Sequence, residues 1–417
     1  MPQSCLYLHL HQPYRLSNFN VFDLSGKKSY FSKDVNKKIF HKVAQKSYFP
    51  MLSLLKKLCE EEAGFKLAFS VSGIFLEQAM EFEPGVIQLI KDILATGKLE
   101  ILAETYYHSL AFLYSKNEFD FQVNKHIQLI EDVFGYKPRV FRNTELAYSN
   151  DIAHLIRDFN FLGTITEAVD RCLHGRKRTQ LFVSNSEKKI PLLLKHAQLS
   201  DDLAFRFGDK SWKWHPLPAD RYLDWVEIYP EDEFVNLFMD FETFGEHQWA
   251  DTGIFEFFEH FVKKFLAKPW NKFVTPSEVF SKLYLVPAKN SDKKVKRSSQ
   301  KQTTITHNPL HSLPVYDVPE MISWADVNRD LTAWRDNSLQ WDTLKIIYEL
   351  EEAILNSGDE QLIEDWRKLQ ISDHFYYMCT KWSADGDVHA YFSPHDSPFE
   401  AYRKYAIVLA DLKERLI

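Results

Sequence analysis

The sequence predicts a parallel α/β fold joined to a smaller helical region at its carboxyl end. Short apolar runs of strand character alternate with long helical patterns, which is typical of parallel α/β proteins. Polar or ionisable side chains follow most of these runs, as they do at the functional face of an α/β barrel. At 417 residues the chain is long enough for one large α/β domain and a smaller second one.

Six apolar runs are predicted to be buried strands, at residues 5–10, 66–71, 99–103, 140–142, 162–166 and 234–240. Helical patterns separate most of them, at residues 48–62, 83–96 and 117–134. A single polar residue after a strand is usually a cap for the next helix. A whole ring of them is harder to explain that way, and it comprises His11, Gln12, Ser70, Ser72, Glu104, Glu145, Thr166, Glu167, Asp240 and Glu242.

The composition changes between residues 286 and 314, where the chain is basic, polar and nearly free of large apolar side chains. Such a segment is typical of an exposed linker or insertion. Beyond it, helical patterns cover residues 323–340, 341–356, 359–370 and 398–417. We therefore predict an α/β domain at 1–285, a flexible basic linker or insertion at 286–314 and a helical domain at 315–417.

Charge and targeting signals limit the possible partners and compartments. The net charge is −7, so no overall basic field would attract nucleic acid or acidic lipid. The amino-terminal segment has no charged region before its apolar stretch, which two histidines interrupt, and no apolar run is long enough to span a membrane. Four scattered cysteines fit reduced thiols. These features predict a cytoplasmic protein without nucleic-acid or membrane partners.

Aromatic residues make up 15% of the chain, including 10 Trp. Aromatic rings carry large buried areas in protein cores. They also form the flat platforms on which sugar rings stack. The aromatic content therefore fits both interpretations and does not decide between them.

Two segments place carboxylates at strand ends, which is what glycoside hydrolysis requires. One carboxylic acid must protonate the leaving oxygen, and a second carboxylate must attack the sugar or activate water. Glu145 follows the strand-like VFRN, and Asp240 ends the apolar run VNLFMD. Glu242 lies two residues later, on the same face of an extended strand. Structural carboxylates that cap the next helices would produce the same pattern, and the pattern alone does not choose.

His9 and His11 share one face of the first predicted strand, and such a pair can bind a metal. A metal-dependent polysaccharide deacetylase, with an Asp as third ligand, is therefore a competing hypothesis. Zinc and iron sites need three or more protein ligands, and the sequence contains no HExxH motif. Histidines can also hydrogen-bond sugar hydroxyls without a metal. We predict no metal and no cofactor.

Several ordered segments resemble the motifs of glycoside hydrolase family 57, in particular its compact α-amylase-like branch. They are HLHQPYR, GKLEIL, FRNTELAYSNDIA and MDFETFGEHQ, with SDDLAFRF and SWADVNRDLTAW resembling segments of the amylase branch. One such motif would be weak evidence, whereas an ordered series along most of the chain is specific. The resemblance implies an incomplete (β/α)7 barrel followed by a helical bundle, and cleavage of α-glucan with retention of configuration.

Carried over by position, the resemblance implies that Glu145 is the nucleophile and Asp240 the general acid/base. His11, Glu100 and Glu242 would hold the sugar at the cleavage point. Weaker candidates for neighbouring contacts are His9, His108, Asp202 and His247. Three tryptophans are candidates for stacking platforms, although packing is the commoner role of such rings. They are Trp249, Trp324 and Trp334.

The resulting hypothesis is a retaining hydrolase of α-1,4-linked glucan or maltooligosaccharides. A 4-α-glucanotransferase or a glycogen branching enzyme would use the same covalent intermediate and differ only in the acceptor. The metal-dependent deacetylase and a carbohydrate-binding protein without catalysis are the further alternatives.

Overall fold

The barrel is built from seven parallel strands. A computed structural model describes residues 3–24, 28–230, 233–284, 309–381 and 393–416. The strands are β1 (Gln3–Leu10), β2 (Leu67–Val71), β3 (Leu99–Leu102), β4 (Phe141–Arg142), β5 (Thr164–Thr166), β6 (Phe182–Ser184), β7 (Pro191–Leu194), β8 (Phe234–Asp240), β9 (Lys272–Phe273) and β10 (Val315–Tyr316). Strand β1 lies inside the sheet β3-β2-β1-β8, and β7, β5 and β4 continue the barrel in a second sheet.

Single contacts join the two sheets into a ring. Ala103 bridges to Phe141 between β3 and β4, and the backbone N–H of His196 donates to the Asn236 carbonyl between β7 and β8. Three short strands extend the ring: β9 pairs with β1, β6 runs antiparallel to β7, and β10 pairs with β6. The predicted α/β class and the incomplete seven-stranded barrel are confirmed.

Helices cover the outside of the barrel in the first two thirds of the chain. They are α1 (Lys33–Val43), α2 (Phe49–Glu61), α3 (Gly73–Phe82), α4 (Pro84–Ala95), α5 (Lys116–Phe134), α6 (Asn150–Ile156), α7 (Asp170–Leu173), α8 (Ala197–Asp201), α9 (Ala219–Glu227), α10 (Ile254–Leu266) and α11 (Pro276–Tyr284). A π-helical turn, Asp202–Arg206, continues α8.

The alternation of side chains along β1 decides what faces the barrel interior. Cys5 and Tyr7 belong to the small interior core, whereas Leu6 and Leu8 pack outward against the helices. Successive strand residues point to opposite faces, so His9 continues the inward row at the carboxyl end of the strand. The parallel register pairs His9 with Asp240 of β8.

The carboxyl-terminal helices pack on one side of the barrel. Trp366 and Tyr405 share a buried core with Phe141 of β4 and Leu192 of β7. The helices are α12 (Thr332–Arg335), α13 (Ser338–Glu349), α14 (Glu351–Ser357), α15 (Glu360–Leu369), α16 (Ser372–Tyr376) and α17 (Pro398–Glu414). Most of the predicted linker lies outside the described residues, and the three-region division stays a prediction.

One predicted helix is wrong. Residues 323–331 are not helical, and α12 covers only four residues of the predicted segment 323–340. The Ser323 hydroxyl donates to the Asp330 carbonyl, and Asp326 and Arg329 adopt left-handed backbone conformations. Such local hydrogen bonds compete with helix formation. The sequence analysis also missed β7, a four-residue strand that begins at a proline.

The described helices include none with the length and apolar character of a membrane span. All four cysteines are buried and free.

Candidate active site

A cleft of about 490 Å³ opens at the carboxyl ends of the barrel strands. Side chains from β1 and β8 and from the segments after β3, β4 and β7 meet there, together with residues of the carboxyl-terminal region. The cleft brings together nine of the predicted site residues: His9, His11, His108, Glu145, Asp240, Glu242, His247, Trp324 and Trp334.

Glu145, the candidate nucleophile, is held by three side chains. One carboxylate oxygen lies 3.2 Å from His108 Nε2 and accepts a 3.0 Å hydrogen bond from the Ser372 hydroxyl. The other oxygen accepts a 2.9 Å hydrogen bond from the Trp324 indole N–H. Glu145 itself adopts a left-handed backbone conformation, with φ of 59°. This conformation costs a non-glycine residue about 1–2 kcal/mol, and such strained residues concentrate at functional sites.

The surroundings of Glu145 keep it ionised. Burial opposes ionisation, but the hydrogen bond and charge of His108, together with the charge of Arg142, hold the pKa of Glu145 below its usual value. A carboxylate that stays charged and aimed into a cleft can act as a nucleophile at neutral pH.

Asp240, the candidate acid/base, is the more accessible of the two carboxylates. It ends β8, and its side chain is 41% exposed, against 15% for Glu145. His9 Nδ1 lies 3.6 Å from the Asp240 carboxylate. Burial raises the pKa of Asp240, but His9, His247 and Arg142 outweigh this and hold the pKa below its usual value.

Glu104 connects the two candidate catalytic carboxylates. One of its oxygens lies 3.3 Å from His9 Nε2 and 3.2 Å from His108 Nδ1, so the contacts run from Asp240 through His9, Glu104 and His108 to Glu145. Burial favours the neutral form of Glu104, but His9, His108 and Arg142 hold its pKa well below the usual range. The result is a buried charged network that fixes both histidines.

His9, Glu104 and His108 also form a cluster that could hold a metal, with ligand atoms within 4.8 Å of one another. However, the fully buried Arg142 places a guanidinium nitrogen 3.7 Å from the Glu104 carboxylate. A metal cation there would face this fixed positive charge at close range. Arg142 already provides the balancing charge, so the residues fit an ion-pair network better than a metal site.

His11 packs against His108, with ring centres 4.1 Å apart, and pairs with Asp373. Burial and the nearby His108 lower the pKa of His11 to about 4, so its imidazole is neutral at neutral pH. His11 Nε2 lies 2.9 Å from Asp373, whose pKa His11 holds well below its usual range despite burial. Nε2 therefore donates to Asp373, and Nδ1 accepts from the Ser72 hydroxyl at 2.8 Å.

Glu242 differs from both candidate catalytic carboxylates. Burial and the neighbouring Asp240 raise the pKa of Glu242 to about 8. The Tyr48 hydroxyl donates to its carboxyl group, and Gln12 donates to the same tyrosine. Glu242 is thus a largely neutral, well-anchored group at pH 7, with hydrogen-bonding capacity toward the cleft.

A charged cluster forms another wall. Asp201 accepts hydrogen bonds from Lys195 and Arg329, at 3.0 and 2.5 Å, and both cations also lie near Glu167. Burial raises the pKa of Asp201, but Lys195 and Arg329 together hold it below its usual value. Lys195 and Arg142 also lie over the ring of Trp324, at 5.5 and 5.0 Å from its centre.

The structure does not bring three of the predicted residues into the cleft. Glu100 lies near the start of β3, at the opposite end of the barrel, where its carboxylate accepts from the backbone N–H and hydroxyl of Ser277 at the start of α11. Trp249 is 54% exposed and packs under Lys46. Asp202 pairs with Arg206 in a separate groove, because adjacent helical residues point about 100° apart and Asp201 faces the cleft instead.

The predicted tryptophans in the cleft have different environments. Trp324 borders Glu145 directly, whereas Trp334 is 1% exposed and borders the cleft from within the core. Packing is therefore the main role visible for Trp334.

The predicted site lacks two residues that line the cleft, Asp201 and Asp373. It also lacks three fully buried residues that contact the lining side chains, which are Glu104, Arg142 and Ser372. Glu104 carried a signal, because it follows a predicted strand. Ser372 and Asp373 begin a short helix far along the chain, and no strand-end pattern marks them.

Comparisons with known proteins identify the family of this chain. The sequence profile described as Glycosyl hydrolase family 57 matches residues 5–290, which is more than half of the chain. The chain belongs to glycosyl hydrolase family 57. Family 57 membership confirms the resemblance found in the sequence and makes the protein a glycoside hydrolase enzyme.

Relatives within family 57 differ in their described activities. A Methanocaldococcus jannaschii protein described as "Putative alpha-amylase" is 36% identical over 417 residues, covering 97% of this chain and 82% of the relative. A branching enzyme from Thermococcus kodakaraensis superposes with a TM-score of 0.66 at 14% identity, covering 100% of this chain and 90% of that one. The α-amylase AmyC from Thermotoga maritima gives 0.55 at 14% identity, covering 99% and 98%. At these identities the two structures support the fold alone.

Proposed function

We propose that the protein hydrolyses α-1,4-linked glucan with retention of configuration, using Glu145 as nucleophile and Asp240 as general acid/base. The observation that carries the proposal is that both carboxylates line one cleft in different surroundings. Glu145 is fixed by three side chains and kept ionised, whereas Asp240 is exposed to whatever occupies the cleft.

The reaction has two steps. Glu145 attacks the anomeric carbon while Asp240 protonates the departing glycosidic oxygen, which gives a covalent glycosyl-enzyme and a free chain end. Asp240 then takes a proton from water, and the resulting hydroxide displaces Glu145 from the sugar. Asp240 is protonated again after the second step.

Asp240 must gain a proton before the first step. A sugar bound in the cleft removes water from the exposed face of this carboxylate, and loss of solvation raises the pKa of a carboxyl group. We therefore expect substrate binding to be accompanied by proton uptake. Calorimetric titration of maltooligosaccharide into an inactive variant, in buffers of different ionisation enthalpy, measures this uptake directly.

The decisive experiment uses Glu145→Gln with amylose as substrate. We expect turnover to fall about 10⁴-fold or more with an unchanged circular dichroism spectrum, because the nucleophile is lost and the shape is kept. The wild-type products should first appear in the α-configuration by NMR. Wild-type turnover by the variant, or first products in the β-configuration, would refute the assignment.

Transfer to a sugar acceptor is the second candidate function, and it would use the same cleft and the same two carboxylates. The covalent glycosyl-enzyme is common to both reactions, so the outcome depends on whether water or a sugar hydroxyl reaches it. Chain-length and linkage analysis of products from amylose separates them. If the main products carried new α-1,6 branches or were longer chains, transfer would be the main activity and not hydrolysis.

A further inference from the structure

A second groove lies on the far side of the wall formed by α8 and its π-helical continuation. It has a volume of about 640 Å³, within the range of small-molecule binding sites. Its lining includes three of the ten tryptophans in the chain, Trp212, Trp214 and Trp225, together with Tyr229. None of the residues in the proposed mechanism belongs to this groove.

The aromatic rings of the groove form a concave corner. Trp225 meets Trp212 and Trp214 edge-on, at centre distances of 6.3 and 5.7 Å and interplanar angles near 70°. The rings are partly exposed, and the neighbouring Ile228 is 73% exposed. Arg221 and Lys213 lie over the Trp214 ring, at 4.7 and 5.3 Å from its centre, and the remaining surface of the three indoles lines the groove. Flat aromatic surface of this kind can stack on the C–H-rich face of a pyranose.

Polar groups surround these rings, as a sugar site requires. Arg206 donates to the Asp202 carboxylate at 2.6 Å and to the Gln198 carbonyl at 3.2 Å, which fixes a planar polar cluster beside the indoles. His196 Nε2 and the Tyr229 hydroxyl form a hydrogen bond of 2.7 Å. Asp202 and His196 are buried, so the half-buried Arg206 guanidinium and Tyr229 hydroxyl are the groups that can pair with sugar hydroxyls beside the aromatic platform.

The groove adjoins the candidate active site across one wall. Arg206 lines both the cleft and the groove, and the wall between them is one helical segment that presents Asp201 to the cleft and Asp202 to the groove. Phe205, 54% exposed, lies on the cleft side of the same wall. A polymer leaving the cleft over this wall would therefore reach the tryptophan corner.

We propose that this groove binds a remote stretch of the α-glucan chain whose reacting bond lies in the cleft. The inference rests on the proposed function for the identity of the polymer. The groove adds affinity only for chains long enough to cross the wall, so it makes the enzyme prefer long glucans over short oligosaccharides.

The test compares Trp214→Ala with a matched control, Trp270→Ala. Trp270 is half exposed, Trp214 is less exposed, and Trp270 lies outside both the cleft and the groove. For Trp214→Ala we expect KM for amylose to rise roughly three- to tenfold, the effect of losing one stacking contact, with kcat/KM for maltotriose unchanged. Trp214→Phe should retain part of the effect, and Trp270→Ala should behave as wild type on both substrates. Melting temperatures verify that each variant is folded.

Binding is measured separately from turnover, by retardation of each variant on native gels containing amylopectin, in a Glu145→Gln background. Loss of retardation in Trp214→Ala alone supports the proposal. Equal effects on maltotriose and amylose, or no effect on amylose, would overturn it. A wild-type protein that is retarded by amylopectin in a Trp214-dependent manner but cleaves no glucan would refute the proposed function and leave the groove assignment intact.

Discussion

The barrel and the carboxyl-terminal region contribute different kinds of side chain to one cleft. The barrel strand ends supply groups that can exchange protons or attack a sugar, including Glu145 and Asp240. The carboxyl-terminal region supplies Trp324, Ser372 and Asp373, each of which hydrogen-bonds a residue of the barrel. We infer that the barrel carries the chemistry and that the later region holds its groups in position.

After Glu145→Gln, the largest loss of activity should come from Asp240→Asn, which removes the proposed acid and keeps the shape. We expect kcat on amylose to fall about 10²- to 10⁴-fold. Glu242→Gln is the matched control, because Glu242 is already mostly neutral at pH 7 and the amide preserves its size. Steady-state kinetics of both variants checks this. If Glu242→Gln were the more damaging change, the acid would have been assigned to the wrong carboxyl group.

The pH dependence of the free energy of unfolding tests the charged network that His108, Glu104 and Glu145 form in the barrel. Burial lowers the pKa of His108, but Glu104 and Glu145 outweigh it and raise the pKa from 6.5 to about 9. The folded state therefore keeps a proton that the unfolded state loses, and the stabilisation present below pH 6.5 disappears as the pH rises to about 9. The free energy of unfolding should decrease by roughly 3 kcal/mol from this group over that range.

Denaturant unfolding of wild type and His108→Gln, at several pH values between 6 and 9.5, measures the slope. Glu242 contributes a slope of the same sign up to about pH 8, because its folded-state pKa is also raised, and it is present in both proteins. The difference between the two slopes therefore isolates His108. Parallel slopes would show that His108 is not charged at neutral pH.

The smallest loss of kcat/KM should come from Trp324→Phe, a change in the carboxyl-terminal region. This change keeps an aromatic ring and removes the N–H that donates to Glu145. Hydrogen bonds to charged groups contribute about 1.5–3 kcal/mol, so kcat/KM should fall about 10- to 100-fold. The acidic limb of the pH–rate profile should move to higher pH, because the carboxylate loses a donor. Equal losses from Trp324→Phe and Asp240→Asn would remove the distinction between the two regions.

The sequence predicted the parts of the site that depend on strand direction. Glu145 and Asp240 could be placed together because the carboxyl ends of parallel strands meet at one face of a barrel. The same rule could have excluded Glu100, which lies near the start of β3, in favour of Glu104, which follows its end. The motif resemblance implies Glu100 instead, against the direction of the strand.

Other contributions depend on tertiary packing and could not be predicted from local pattern. Asp201 and Asp202 are adjacent carboxylates, and only the rotation of one helix decides which of them faces the cleft. Ser372 and Asp373 reach Glu145 and His11 across more than two hundred residues of sequence. Their position depends on how α15 and α16 pack on the barrel. The periodicity of a strand or helix in the sequence does not predict such packing.

The backbone carbonyl of Glu145 accepts a hydrogen bond from the backbone N–H of Trp324, at 3.2 Å. The left-handed turn at Glu145 is thus stabilised by a hydrogen bond from a peptide group 179 positions away. Truncating the chain to the barrel alone would also remove this hydrogen bond from Trp324. The shortened chain would be expected to relax the turn and swing the carboxylate out of line, so the smallest working unit includes both regions.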